Sequence, residues 1–197
     1  MTGCAEPGTL VWFSKSNNPK RKLPYSWELS QYQEHLIGIN SAKANAIVLE
    51  SIDKVLEDID FNNASVKPEV TIEFDDTPKS RLDILLSRED EKIYCEVKSV
   101  TLLGDDGIGY FPDTVSTRAH KHIQTLIKLR KMGHRALMIF CVQHTGIDRF
   151  SPAYHIDPKY ADLFQKAIEA GVECLAYRCL ISTKNIDLGP RIAVQMN

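Results

Sequence analysis

Residues 81–100, RLDILLSREDEKIYCEVKSV, contain two apolar segments joined by the turn-rich sequence REDE. Because successive side chains of a β-strand point to opposite faces, the first segment keeps three apolar residues together: Leu82, Ile84 and Leu86. Asp83 then lies on the other face, and the same rule places Glu96 and Lys98 on one face of the second segment. These residues therefore predict a β-hairpin that carries charged side chains among strongly apolar neighbours.

The turn of this hairpin sets which residues meet across it. A connection that turns symmetrically about Glu89 and Asp90 places Asp83 directly opposite Glu96, with Cα atoms roughly 4.5–5.5 Å apart. Two carboxylates held that close repel each other, and a divalent cation would turn the repulsion into attraction. Lys98 follows Glu96 by two residues, about 7 Å along the strand, which leaves room for a water or phosphate oxygen.

This combination of side chains is typical of a site for Mg²⁺ (or Mn²⁺). Magnesium prefers oxygen ligands and usually takes one or two carboxylates together with substrate phosphate. Asp83, Glu96 and the backbone carbonyl of Val97 meet that demand, and Lys98 would orient a nucleophile or stabilise charge on the phosphate. A pattern this short more often marks a solvated hairpin with a salt bridge than a metal site. The apolar flanks favour the metal site, because buried charge needs a compensating partner.

The rest of the chain predicts an α/β fold with the element order α-β-β-β-α-β-α-β. A helix over residues 42–56 precedes three strands that form an antiparallel meander. A second helix over residues 114–132 ends at Gly133 and leads into the buried strand ALMIFCV. A third helix from Pro158 to Ala170 leads into the strand VECLAYRCLI.

Two parts of the chain are distinguished by this pattern. Residues 41–197 are predicted to form the α/β domain, with a mixed sheet. Residues 1–40 form a smaller module in which only GTLVWF and LIGI resemble strands, too few for a closed barrel.

The composition excludes several classes of protein. The chain has 197 residues, of which 43% are hydrophobic and 25% charged, and this is typical of a globular protein. A net charge of −2 argues against a body that coats nucleic acid by charge alone. No apolar run approaches the length of about 18 residues that a membrane span needs. The odd number of cysteines, five, favours a reducing compartment, so we predict a soluble, cytoplasmic protein without membrane contact.

The arrangement Asp83…Glu96-x-Lys98, on the second and third strands of an α-β-β-β-α-β unit, resembles the PD-(D/E)xK nuclease superfamily. Further segments are similar to the sugar fermentation stimulation protein A (SfsA) family, and they extend over nearly the whole chain: NPKRKLPYSWEL, RLDILLS, EVKSVTLL, YFPDTVSTRAHKHIQTL and GVECLAYRC. The resemblance implies DNA binding, an oligonucleotide/oligosaccharide-binding (OB) type N-terminal domain and a restriction-endonuclease-like C-terminal domain.

The N-terminal module departs from this family pattern. Family members carry several dozen residues before the point that matches Thr2 and Gly3. We therefore expect residues 1–40 to form a partial, truncated OB-type module, either because the chain is a fragment or because the remaining strands pack differently.

The resemblance suggests an auxiliary ligand on the first predicted helix. Nucleases of this superfamily often place an acidic residue there to hold metal-bound water, and Glu50 occupies that part of the chain. A solvated helix residue is an equally good interpretation, since glutamate is among the best helix formers.

Two groups of residues are candidates for nucleic-acid contact. The N-terminal group combines charges that neutralise phosphate with rings on which bases stack: Lys15, Lys20, Arg21, Lys22, Tyr25 and Trp27. The second group shares one face of the second helix: Arg118, Lys121 and His122. A basic surface loop and a solvated helix face are the alternatives for the two groups.

The sequence thus predicts Mg²⁺-dependent hydrolysis of phosphodiester bonds, with DNA favoured over RNA as the partner. The main alternative is a non-cleaving, regulatory DNA-binding protein that keeps a vestigial nuclease fold. A hydrolase of small phosphoesters is a third class, against which the basic stretch Lys20-Arg21-Lys22 argues. Oligomeric state, strandedness and sequence preference are not indicated by these residues.

Overall fold

A computed structural model describes residues 4–104 and 106–196, apart from the side chain of Thr77. Its N-terminal module is a three-stranded antiparallel sheet of β1 (Val11–Lys15), β2 (Tyr25–Tyr32) and β3 (His35–Gly38), in that order. The expected segments GTLVWF and LIGI supply β1 and β3. Strand β2 was not predicted, because its apolar side chains are spaced within a long polar stretch.

The remaining strands form one mixed sheet. Their bounds are β4 (Ser65–Phe74), β5 (Thr77–Arg88), β6 (Glu91–Val100), β7 (Leu102–Leu103), β8 (Ile108–Phe111), β9 (Arg135–Val142), β10 (Arg149–Pro152), β11 (Glu173–Ile181) and β12 (Ile186–Val194). Across the part of the chain that the structure describes, this sheet has nine strands in the order β4-β5-β6-β9-β11-β12-β10-β8-β7. The predicted antiparallel meander β4-β5-β6 is confirmed, and β9 and β11 continue it as parallel neighbours.

Helices connect and cover these strands. After a short 3₁₀ helix at Ser41–Lys43 come α1 (Ala44–Glu50), α2 (Ile52–Asp58), α3 (Thr117–Lys131) and α4 (Pro158–Glu169). The single helix predicted over residues 42–56 is therefore interrupted at Ser51, whose φ and ψ are −116° and 26°. Because both pieces pack against the same face of the sheet, the apolar spacing continues across the break and does not reveal it. Within the described residues, no helix is long and apolar enough to cross a bilayer.

The large sheet is covered on both faces, as predicted. Helices α1 and α2 pack on one face over a core that includes Ile84 and Cys95. Helices α3 and α4 pack on the other face, where Phe140 stacks on Phe150 at a ring distance of 3.8 Å. Strand β6 lies inside the sheet, between β5 and β9. The charged side chains of Glu96 and Lys98 on β6 are consequently held between two apolar layers.

The β5–β6 hairpin has the predicted register. Its pairs run from Arg88 opposite Glu91 to Ile84 opposite Cys95, which is a symmetrical turn about Glu89 and Asp90. The pairing ends there, one position before Asp83 would face Glu96. Asp83 therefore lies where β5 separates from β6, a feature that the alternation of apolar residues does not predict.

The strands that were not predicted in the C-terminal domain are β7, β8, β10 and β12. The first three have four residues or fewer, so they are too short to display a period. Strand β12 contains Gly189 and Pro190, which are typical of turns.

Candidate active site

A cleft of about 360 Å³ opens where β5 and β6 separate. Asp83 of β5 and Glu96 and Lys98 of β6 line it, together with Asn45 of α1 and Arg118 of α3. The cleft is thus built from both helical layers and from the sheet between them. Its lining combines carboxylates, an amide and three cationic groups, which suits a charged, oxygen-rich ligand.

Asp83 is held by hydrogen bonds to both carboxylate oxygens. Oδ1 accepts from Nδ2 of Asn45 at 2.7 Å, and Oδ2 accepts from the backbone N–H of Val97 at 2.8 Å. Burial raises the pKa of the Asp83 carboxyl above its usual value of 3.8, and the negative charge of Glu96 adds to that effect. The charged form of Asp83 is therefore disfavoured unless a positive group approaches.

Asn45 was not predicted as a site residue. Its only signal in the sequence is a poor helix former placed among apolar helix residues. Such a residue in a helix interior is a candidate for a specific side-chain contact.

Glu96 is 1% exposed, and its two oxygens have different surroundings. Oε1 accepts hydrogen bonds from Nζ of Lys98 and from Nδ1 of His122. Oε2 is buried and has no hydrogen-bond partner among the described residues. Burial by itself raises the pKa of the Glu96 carboxyl, but the bonds from His122 and Lys98 outweigh it and lower the pKa below 4.5. Glu96 is thus a buried carboxylate that keeps its charge at neutral pH.

The unpartnered oxygen Oε2 of Glu96 indicates whether a cation fits in the cleft. A buried acceptor without a partner carries a desolvation penalty of about 1–3 kcal/mol, more for a charged group. No cluster of three His, Cys, Asp or Glu side chains suited to a metal occurs in residues 4–104 and 106–196. Mg²⁺ does not need one, since it binds through one or two carboxylates and keeps several waters. The donor set of Asp83, Glu96 and the Val97 carbonyl therefore fits a hard divalent ion.

His122 does not lie where it was predicted. The sequence placed it on one helix face with Arg118 and Lys121 and assigned it to phosphate contact, whereas its side chain is buried and bonds Glu96. The reason is that this part of α3 faces β6, so the polar face of the helix continues into the interior. Nδ1 of His122 lies 3.4 Å from Nζ of Lys98, and the three side chains form one buried cluster.

Arg118 and Lys121, the two other predicted residues of α3, lie in different surroundings from each other. Arg118 is exposed and lines the cleft. Lys121 donates a hydrogen bond of 2.6 Å to the backbone carbonyl of Lys79, on strand β5. Of the three predicted helix residues, Arg118 alone is among the described residues that line the cleft and stay open to solvent.

Glu50 is not brought to the cleft. It is exposed at the end of α1 and lines a separate cavity of about 410 Å³, together with Trp12 and Lys43. Glu50 follows Asn45 by five residues, which at 3.6 residues per turn rotates it by about 140° around the helix. The helix therefore directs Asn45, and not Glu50, toward Asp83.

The N-terminal candidates lie on the β1–β2 sheet, outside the Asp83 cleft. Exposed members are Lys15 at the end of β1, Tyr25 at the start of β2, and Lys20, Arg21 and Lys22 in the connection between them. Trp27 is half-buried: its Nε1 donates to the carbonyl of Leu29 at 2.9 Å, and its ring packs against the small core around Ile37. The position of Trp27 thus indicates packing within the module as its main role.

Comparisons with known proteins support this architecture. The SfsA N-terminal OB domain matches residues 1–39, and the sugar fermentation stimulation protein RE domain matches residues 42–185. The sugar fermentation stimulation protein homologue of Pseudoalteromonas atlantica is 49% identical over 195 residues, which are 98% of this chain and 81% of that protein. The homologue of Shewanella sp. (strain ANA-3) is 46% identical over 200 residues, covering 100% of this chain and 83% of that protein.

A solved structure shares the fold. Pyrococcus furiosus SfsA, solved in complex with Ca²⁺, superposes with a TM-score of 0.83 and 26% sequence identity, over 96% of this chain and 79% of that one. The predicted α/β architecture with an OB-type N-terminal module is confirmed. From the matched domains and these relatives, we conclude that the chain belongs to the sugar fermentation stimulation protein (SfsA) family.

Proposed function

We propose that this protein is a metal-dependent nuclease that hydrolyses phosphodiester bonds in DNA. The observation that carries the proposal is the Glu96 carboxylate, which is buried and charged and has one oxygen without a partner among the described residues. Asp83, in the same cleft, has a raised pKa because of its burial and the charge of Glu96. A cation bound between the two carboxylates would give the free oxygen of Glu96 a partner and would favour the charged form of Asp83.

Mg²⁺ (or Mn²⁺) is the cofactor that this donor set would hold. Asp83, Glu96 and the backbone carbonyl of Val97 are its proposed ligands. The relative from Pyrococcus furiosus is described as a complex with Ca²⁺, another divalent ion that takes oxygen ligands. When bound, such an ion lowers the pKa of a coordinated water and offsets charge that develops on a phosphate.

The chain's own residues position the reactants. Lys98 keeps its ammonium at the cleft through its bond to Glu96, with 12% of the side chain exposed. From there it orients the attacking water or stabilises negative charge on the phosphate. Asn45 fixes the orientation of Asp83, and Arg118 at the rim supplies a fork of donors for a phosphate of the strand.

A nucleic acid is the proposed polymer because of the exposed charges on the N-terminal module, and the family resemblance favours DNA. The connection that contains Lys20, Arg21 and Lys22 can neutralise phosphates, and the exposed ring of Tyr25 can stack on a base. These groups are outside the cleft, so they would hold the polymer at a distance from the bond that is cut.

A non-cleaving DNA-binding protein is the second candidate. It is favoured by one observation, namely that Lys98 and His122 already bond the same oxygen of Glu96. If those contacts suffice to balance the carboxylate, the cluster can be a structural remnant. The two candidates differ in whether DNA is cut.

The test is a cleavage assay with single- and double-stranded DNA and RNA in Mg²⁺, in Mn²⁺ and in EDTA. We expect cleavage in either metal and none in EDTA, and we expect Asp83→Asn and Lys98→Ala to abolish it while most DNA binding remains. Asp162→Asn, on the exposed side of α4, is the control and should cut normally. DNA binding without cleavage under all these conditions would favour the second candidate.

A further inference from the structure

Cavities follow one another from the Asp83 cleft to the N-terminal module. The cleft itself is followed by a cavity of about 530 Å³, and the two share Val97, Lys98, Arg118 and Ser41. That cavity in turn shares Thr101 with a third one of about 710 Å³. The three cavities, called the groove below, therefore adjoin one another near the end of β6.

The chain segment that lines all three cavities sets an upper limit on the length of this groove. The lining runs from Glu96 in the cleft to Gly104 in the third cavity, a separation of eight residues. At about 3.3 Å per residue, this segment spans at most about 26 Å, and it spans less because β6 ends at Val100 and β7 begins at Leu102 elsewhere in the sheet. A single strand of nucleic acid rises about 3.4 Å per nucleotide when stacked, so the groove has room for at most about eight nucleotides, and for fewer if the strand is stretched.

The chemistry of the groove changes along its length. Lys98 and Arg118 provide cationic groups at the cleft end. The middle is lined by hydroxyl groups, including those of Ser99 and Tyr110, with the carboxylate of Asp113. The described lining of the third cavity contains no lysine or arginine, and its ring-bearing residues are Tyr32, His35 and His144. The far end is therefore suited to an uncharged, planar group and not to a phosphate.

His144 lines that cavity with a ring whose tautomer is set by the backbone. It is 2% exposed, and its Nδ1 accepts a bond of 3.0 Å from the backbone N–H of Gly146. The remaining ring nitrogen, Nε2, thus carries the proton in the neutral form. Burial, and to a smaller extent the nearby His35, lowers the pKa of His144 to about 4, so the ring is neutral at pH 7.

The neighbouring ring is held in a defined position. The rings of His35 and His144 have centroids 5.6 Å apart and an interplanar angle of 49°. Gly146 packs so closely on His35 that a Cβ atom there would come within 2.8 Å of the ring. Gly146 thus packs directly against the ring of His35, and Tyr32 lines the same cavity.

We propose that this groove binds one strand of DNA whose phosphates begin at Lys98 and Arg118, and that the third cavity accepts one unpaired base. The Nε2–H of His144 would donate to a carbonyl oxygen or ring nitrogen of that base, while Tyr32 and His35 contact its face. The proposal rests on the proposed function, because it takes the Asp83 cleft as the place of the bond that is cut. It assigns the substrate as a single strand of at least several nucleotides.

The test is the binding of oligothymidylates of two to ten nucleotides, measured by fluorescence anisotropy in Ca²⁺ to separate binding from turnover. We expect affinity to rise with length and to level off between four and eight nucleotides. His144→Phe keeps a ring but removes the donor. It should weaken the eight-nucleotide ligand roughly five- to tenfold, about the value of one hydrogen bond, and leave the three-nucleotide ligand unchanged.

Two further variants keep the test decisive. Tyr32→Ser removes an exposed ring, so it should fold even if His144→Phe does not, and it should show the same length-dependent loss. His134→Phe is the matched control. His134 precedes the first residue of β9, whereas His144 follows the last, so this variant should bind oligonucleotides of every length normally. An equal loss at all lengths, or no loss in either groove variant, would overturn the proposal. A protein that binds with this length dependence but never cuts in Mg²⁺ would refute the proposed nuclease activity and leave the groove intact.

Discussion

The backbone N–H of Val97 donates a hydrogen bond of 2.8 Å to the Asp83 carboxylate, although the two residues belong to neighbouring strands. A side chain of β5 thereby takes the place of a strand carbonyl at the point where β5 separates from β6. The separation creates the cleft, and the hydrogen bond satisfies the amide that the separation would otherwise leave unpaired. Asp83 therefore stabilises the opening of the cleft and is also a proposed metal ligand in it.

Asp83→Asn should abolish cleavage with a small effect on folding. Both oxygens of Asp83 accept hydrogen bonds, and an amide can satisfy only one of the donors, Asn45 or Val97. Removing a buried charge whose pKa is raised offsets that loss, so we expect the free energy of unfolding to change by less than about 2 kcal/mol. Cleavage should fall at least about 100-fold. Urea denaturation and cleavage rates measure the two effects, and a variant that cuts normally would contradict the assignment.

Lys98→Met should destabilise the fold more than the double variant Glu96→Gln/Lys98→Met. The Glu96 and Lys98 side chains are 2% and 12% exposed, so removing the ammonium leaves a buried carboxylate with only His122 as a donor. Breaking a buried pair in this way costs about 3–5 kcal/mol, whereas replacing both charges costs less.

A double-mutant cycle by chemical denaturation measures this coupling. Lys79→Met and Glu73→Gln, an exposed pair 2.6 Å apart, form the control cycle and should couple by less than about 1 kcal/mol. Additive losses at Glu96 and Lys98 would show that the buried pair is not coupled.

Asp157→Ala should destabilise the protein by about 3 kcal/mol at pH 7. Asp157 is buried, caps α4 through the N–H of Tyr160, accepts from the N–H of Ser116 and bonds His120. A lost N-cap alone costs about 1–2 kcal/mol, and the unpaired groups add to it.

The stability lost in Asp157→Ala should depend on pH. Burial tends to raise the pKa of Asp157, but the bonds from Ser116, Tyr160 and His120 lower it below the usual 3.8. A lowered pKa in the folded state contributes stability that is fully present above pH 3.8 and is lost as the pH falls through the folded-state pKa. The difference between wild type and Asp157→Ala should therefore narrow at low pH in urea titrations. A difference that does not change with pH would contradict this origin.

Reversing Lys20, Arg21 and Lys22 to glutamate should weaken DNA binding and flatten its salt dependence. Each neutralised phosphate contributes about −0.7 to −0.9 to the slope of log K against log salt, so the slope should become smaller by roughly two to three. The measurement is anisotropy at several salt concentrations. Glutamates at Lys159 and Lys166, two exposed residues of α4, provide the control, and an equal effect there would mean that only net charge matters.

Patterns of period two and 3.6 were sufficient for the main elements of the C-terminal domain. The alternation in β5 and β6 predicted their faces and their register, because a short turn leaves little freedom in how two adjacent strands pair. The break at Ser51 and the strand β12 were not predicted. In β12, pairing with β11 overrides the turn propensity of Gly189 and Pro190. At Ser51, the apolar spacing continues across the break and conceals it.

The sequence by itself determined that Asp83, Glu96 and Lys98 lie on adjacent strands with apolar neighbours, because these relations depend only on residues close together in the chain. Only the tertiary structure decided that His122 bonds Glu96, that Asn45 rather than Glu50 reaches Asp83, and that β5 leaves β6 at the cleft. Those contacts join elements that are distant in the chain. They depend on the rotation and height at which each helix packs on the sheet, which the spacing of apolar residues restricts to a face but does not specify further.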